Sequence, residues 1–219
     1  MHCNIILVTL VALLVSSTHS LPQYHTGEHS PREAAPLARA LVKTAGIAEL
    51  STLADESVVA GLGGFPFSTP EYITDSCPPS GEPLVYLVVW GTHARNLNIL
   101  PHASLSIRST NFTNPPPTSR SPLDEARVTL IGTLSRITND TQIHNAKKCF
   151  EQKHKEGFGI FPHRGAFWRM SVKKVRWIGG FGDRHFNGWI SRDLYLGEGN
   201  GAGSAASKDA VDSVRKQWR

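Results

Sequence analysis

Two long alternating segments late in the chain limit its fold most. From Arg127, apolar and polar residues alternate for roughly 11 residues. Val128, Leu130, Gly132 and Leu134 fall on one side, and Arg127, Thr129, Thr133 and Ser135 mostly on the other. A period of two over that length is a half-buried β-strand, and long, strongly twisted strands belong in barrels. The second segment, Ala166 to Ile178, changes parity midway: Trp168, Met170 and Val172 share one face, Val175 and Trp177 the other. A bulge near Lys173-Lys174 accounts for the slip.

The remaining segments fit around these two. Pro83 to Trp90 (PLVYLVVW) is a short apolar run rich in β-branched residues, expected to be a strand covered on both faces in the centre of the sheet. Ile47 to Ala54, Gly64 to Thr74 and Ala103 to Arg108 read as further strands, with Gly61, Gly63 and Gly64 allowing a turn. A helix is predicted over Glu33 to Ala45, with Leu37, Ala40, Leu41 and Thr44 at helical spacing, Pro36 early and Gly46 as the stop. Thr92 is expected to cap a helical turn ended by Pro101, and residues 109 to 125, with four prolines, form an exposed loop. Asn139 or Asp140 caps a helix whose Ile143, Ala146, Cys149 and Phe150 face inward while Lys147, Lys148, Lys153 and Lys155 face solvent. Gly179 to Asp183 makes a tight turn into a short strand around Trp189 and Ile190. The fold class that follows is mainly β, an antiparallel barrel with peripheral helices.

Of 219 residues, 40% are hydrophobic and 19% charged, enough for one core and too few charges for a disordered chain. Residues 1 to 20 read as a secretory signal peptide: Ile5 to Val15 is apolar, and at about 11 residues it falls short of the roughly 20 that a spanning helix needs. Residues 21 to 34 read as a flexible leader, 35 to 196 as the barrel domain and 197 to 219 as a flexible tail. No later stretch is long enough to span a bilayer. Asn111 and Asn139 stand in N-x-S/T sequons, which a secretory route exposes to glycosylation. With Cys3 removed alongside the signal, Cys77 and Cys149 remain, and they either pair as a disulfide or stay as two buried thiols.

Charge is uneven. Residues 21 to 126 hold six Lys/Arg and ten Asp/Glu, a net of −4, whereas 127 to 219 hold 17 and eight, a net of +9. The basic half suits an anionic ligand or a basic exposed strand face, and the secretory address disfavours nucleic acid.

Taken in order, PFSTPEYITD, GEPLVYLVVWGTHARNL, RVTLIGTLSRITND and FWRMSVKKVRWIGGFGD resemble the CREG family of secreted glycoproteins, over about residues 35 to 196. That family sits within the flavin-binding split-barrel superfamily of the pyridoxamine phosphate oxidases. The resemblance implies a six-stranded antiparallel split barrel that forms a homodimer, secreted or sent to a lysosomal or vacuolar compartment, in which a loop fills the flavin pocket. In catalytic relatives two FMN molecules sit at the dimer interface. The GGFGD turn is closer to bacterial flavin-binding and haem-handling relatives, so an open pocket stays in view.

Two functions therefore stand side by side. One is a non-catalytic binding and signalling module acting on a receptor or an anionic ligand. The other is an FMN-dependent oxidoreductase, for which the resemblance implies that Thr92 and His93, matching the phosphate-binding turn of oxidase relatives, hold the cofactor phosphate, with Arg95 and Asn96 nearby. For His93 and Asn96 the competing reading is helix-cap hydrogen bonding. His154 and His163 lack further ligands at zinc spacing and read as exposed; no G-x-S-x-G elbow is present; the G-L-G-G cluster is not a dinucleotide fingerprint; and His185 alone is slender support for haem ligation. No metal site is expected.

Overall fold

The computed structural model describes residues 28–109, 121–155, 163–180 and 185–197. Its elements run α1 (Pro31–Thr44), β1 (Ile47–Leu53), β2 (Pro66–Thr74), β3 (Leu84–Val88), α2 (Thr92–Ile99), β4 (His102–Arg108), β5 (Arg127–Arg136), α3 (Asp140–Lys153), β6 (Gly165–Ile178), β7 (Asn187–Ser191) and α4 (Arg192–Leu196). The strands follow the order β3-β2-β1-β4-β5-β6, and a further β3–β6 pairing closes them into a six-stranded antiparallel barrel, with β7 added beside β6. Closure removes the exposed edges that an open sheet of this size would present.

The two long segments behave as their periodicity requires. In β5, Val128, Leu130, Gly132 and Leu134 are buried in alternation. In β6 the register passes from Ile131↔Lys174 to Gly132↔Val172, so Lys173 is the bulged residue and Trp168, Met170, Val172, Val175 and Trp177 all turn inward. The crossing is tight: a Cβ on Gly132 would lie 2.0 Å from the Ser171 carbonyl oxygen. Glycine is the residue that lets β5 approach the bulge.

β3 lies at the barrel's closure, between β2 and β6, with both faces covered. Val85 and Leu87 enter the main core, and Leu84 and Tyr86 join a second cluster with Phe150 and Phe167 beneath α3. Cys77 and Cys149 form a disulfide, with Cα atoms 5.7 Å apart, that ties the loop after β2 to α3. Gly61 and Gly64 take positive φ in the turn before β2.

Several boundaries differ from expectation. α1 begins at Pro31, inside the leader expected over residues 21 to 34, because Ser30 and Glu33 make a reciprocal capping box with proline in the first turn. Pro36 lies inside the helix, and Ala34, Ala35, Ala38, Leu41 and Val42 form the packed stripe. Small alanines bring the helix close to the barrel. Gly91, not Thr92, is the N-cap of α2. Lys153 does not simply face solvent: its Nζ donates to the Lys43 carbonyl at 3.2 Å and also to the Thr44 carbonyl, capping the C-terminal end of α1 from another element. His154 is half-buried, with Nε2 2.8 Å from the Ile73 carbonyl, and α4, capped by Ser191, was not foreseen.

Candidate functional site

β1 pairs with β2 along its whole length, from Ile47↔Tyr72 to Leu53↔Pro66. β3 meets β2 only at Ile73↔Val85 and Thr74↔Leu84. Beyond those pairs the two strands part, and α2, which starts three residues after β3, packs against β1 and β3 beside the gap. The result is a cleft of about 370 Å³ lined by Phe67, Glu71, Tyr86, Leu87, Thr92 and His93, among others.

His93 is buried and sits between two strands. Its Nδ1 lies 2.9 Å from Thr52 Oγ1 and its Nε2 2.9 Å from Thr69 Oγ1. The neighbours decide the direction of each bond. Asp55 N–H donates to Asn96 Oδ1 at 3.2 Å, which fixes the amide, so Asn96 Nδ2 donates to Thr52 Oγ1 at 3.2 Å. Thr52 then has its own proton for His93 Nδ1, leaving Nε2–H to donate to Thr69. Thr69 in turn donates to Glu71 Oε1 at 3.2 Å. A single chain of donors thus runs from the Asp55 amide to the Glu71 carboxylate, and every buried polar group along it is used. His93 is neutral: burial pushes it down to about 4.

This arrangement places the expected site residues. Thr92 and His93 reach the cleft. Asn96 is fully buried and spent on Asp55 and Thr52, not on a ligand. Arg95 is exposed and points Nη2 to the Ser57 carbonyl at 3.4 Å. Asn139 is exposed as the N-cap of α3, with Oδ1 accepting from Gln142 N–H at 3.1 Å. Asn111 lies outside the described residues.

Sequence reasoning missed Thr52, Thr69 and Glu71. A signal was present: Phe67, Thr69 and Glu71 share the parity of Ile73, whose side chain is fully buried. A charged residue on the inward face of a strand marks a site with its own partner. Glu71 is half-buried, and burial holds its carboxyl above the usual range against the bond from Thr69.

Glu28 is a buried carboxylate beside the end of β6. Glu28 accepts from Trp177 Nε1 at 2.6 Å and faces His185 Nδ1 at 3.0 Å. Burial works against its charge, but the hydrogen bonds from His185 and Trp177 prevail and hold it below the usual carboxylate range. Trp168 and Trp177 both fill the core; Trp168 Nε1 has no hydrogen-bond partner among the described residues. Among those residues no three His, Cys, Asp or Glu side chains converge as a metal set, and no helix is long and apolar enough to cross a membrane.

The family model described as "CREG, beta-barrel" matches residues 29–197. Among solved structures, a heme binding protein from Mycobacterium smegmatis is 26% identical with a TM-score of 0.59, over 75% of this chain and 60% of its own. Campylobacter jejuni ChuZ is 14% identical with a TM-score of 0.56, over 78% of this chain and 65% of its own. A protein related to general stress protein 26, of the pyridoxinephosphate oxidase family, from Clostridium acetobutylicum, is 12% identical with a TM-score of 0.51, over 75% and 98% respectively. This chain thus spans about three fifths of the length of the Mycobacterium protein. No curated protein sequence matches it. These likenesses show a shared mainly β split-barrel fold.

Proposed function

The chain belongs to the CREG β-barrel family, and on that premise we propose that it is a secreted, glycosylated, homodimeric binding module that holds no flavin. One observation carries this reading. A flavin phosphate needs cationic or amide donors. The cleft at Thr92 and His93 instead presents the Glu71 carboxylate and a neutral imidazole whose two nitrogens are both engaged. No lysine or arginine among the described residues lines it. The residues do not fit the phosphate end of FMN, and no step is derived through that cofactor.

Other features agree with the module. Asn139 uses Oδ1 for the helix cap, so a glycan on Nδ2 leaves the cap intact. The outer barrel face carries a shallow groove of about 450 Å³ lined by Leu53, Pro66, Ile131 and Lys173, an apolar surface suited to a second copy. Arg136, Arg169 and Lys174 are exposed and supply the basic surface for an anionic partner.

The test is the visible absorption spectrum of the purified secreted protein after incubation with FMN and desalting. A colourless protein is expected; a retained flavin band overturns the reading in favour of an FMN-dependent oxidoreductase, and a haem band overturns it in favour of a haem-handling protein. Asn111→Gln with Asn139→Gln is expected to increase mobility on a gel, and unchanged mobility removes the glycan from the account.

A further inference from the structure

The cleft between β2 and β3 does not look like a mere remnant of a cofactor pocket, because its polarity is set by a built network. Five hydrogen bonds point the same way, from the Asp55 amide through Asn96, Thr52, His93 and Thr69 to Glu71. The network ends on Oε1 of a half-buried carboxylate, and no described residue provides a hydrogen bond or an ion pair to Oε2. A carboxylate oxygen left over on the wall of a cleft is a contact point for a cation. Phe67 and Tyr86 line the same space and supply apolar walls.

We propose that this cleft binds a small organic cation, a primary ammonium on an aromatic or aliphatic body, with Glu71 as its counter-ion and Phe67 and Tyr86 as its walls. This deepens, and rests on, the reading of the chain as a binding module without flavin. Thr69 orients the carboxylate, and His93 holds Thr69 from behind. Thr69 and His93 are therefore positioning residues; Glu71 makes the charged contact.

The test uses the full secreted protein titrated by calorimetry with benzylamine, charged at neutral pH, and with benzoate, which carries the same ring and the opposite charge. Saturable binding of benzylamine and none of benzoate is expected. Glu71→Gln, which keeps an oxygen for Thr69, is expected to weaken benzylamine binding by roughly tenfold or more. Binding of benzoate as tight as that of benzylamine, no saturable binding of benzylamine, or an unchanged affinity in Glu71→Gln overturns the proposal. Nuclear Overhauser contacts between the benzylamine ring and Phe67 or Tyr86 in the unmutated protein decide the matter if the variant does not fold; their absence also overturns it. The flavin spectrum keeps the two ideas apart. A retained flavin band sinks the functional reading, whereas a colourless protein that ignores benzylamine sinks only this inference.

Discussion

Glu28 accepts a hydrogen bond from the indole of Trp177 at 2.6 Å, across 149 residues of sequence. The chain just before α1 is thereby pinned to the far end of β6, where the indole nitrogen would otherwise be buried without a partner. Glu28→Leu is expected to cost about 1–3 kcal/mol, the cost of leaving that donor unsatisfied, and Glu28→Gln less, because it keeps an acceptor. The folded carboxyl titrates below its ordinary 4.5, so its contribution is present above that pH and is lost as pH falls through the folded value. Urea unfolding of the two variants at neutral pH, and of the parent between neutral and acid pH, checks both statements.

His93 makes stability fall on acidification for a different reason. Its ring stays neutral in the fold down to about 4, whereas the unfolded ring takes up a proton near 6.5. Between those values the unfolded state binds more protons, so the contribution is complete above 6.5 and declines as pH drops toward 4. The full effect is about 3 kcal/mol at most. Unfolding midpoints at pH 7 and pH 5 are expected to differ, and His93→Gln to shrink the difference; an equal difference in the variant would show that the ring is not its source.

The Cys77–Cys149 bond closes a loop with a sequence separation of 72. In the chain-entropy model, closing a loop of that size is worth about 4 kcal/mol. Replacing both cysteines by serine is expected to lower the Tm clearly. The measurement is calorimetric melting of the double variant beside the parent under non-reducing conditions.

At Gly132 the β5 backbone passes the β6 bulge so closely that any Cβ collides with the Ser171 carbonyl oxygen, 2.0 Å away. Gly132→Ala is expected to cost at least about 1–3 kcal/mol, because neither strand can yield without disturbing the register. Ser135→Ala, at an exposed position of the same strand, serves as the comparison and is expected to change stability by less than about 0.5 kcal/mol.

The positions that were legible are those where one local rule acts alone. Alternation over β5 and the parity change in β6 expose the barrel strands and the bulge, because side chains in a strand have only two faces and a slip must be absorbed by an extra residue. Asn139 is recognisable as a cap, because its oxygen serves amides three residues away. α1 starts ahead of the expected Glu33 although its capping box is local: Ser30 and Glu33 are the signal, masked by the polar residues before them.

The candidate site could not be read the same way. Thr52, Thr69, Glu71, His93 and Asn96 come from β1, β2 and α2, and no spacing along the chain says that they meet. The resemblance to oxidase relatives points to His93 as a phosphate ligand, because it stands in the turn after an apolar strand. Its neutral state follows from burial, and its two ring nitrogens are taken by threonines up to 41 residues away. The sequence by itself determined the strands, the bulge and the Asn139 cap, since periodicity and capping act within a few residues. Only the tertiary structure decided that β2 and β3 part, that a carboxylate rather than a cation faces the gap, and that His93 is neutral. Those properties arise from packing and desolvation between distant segments.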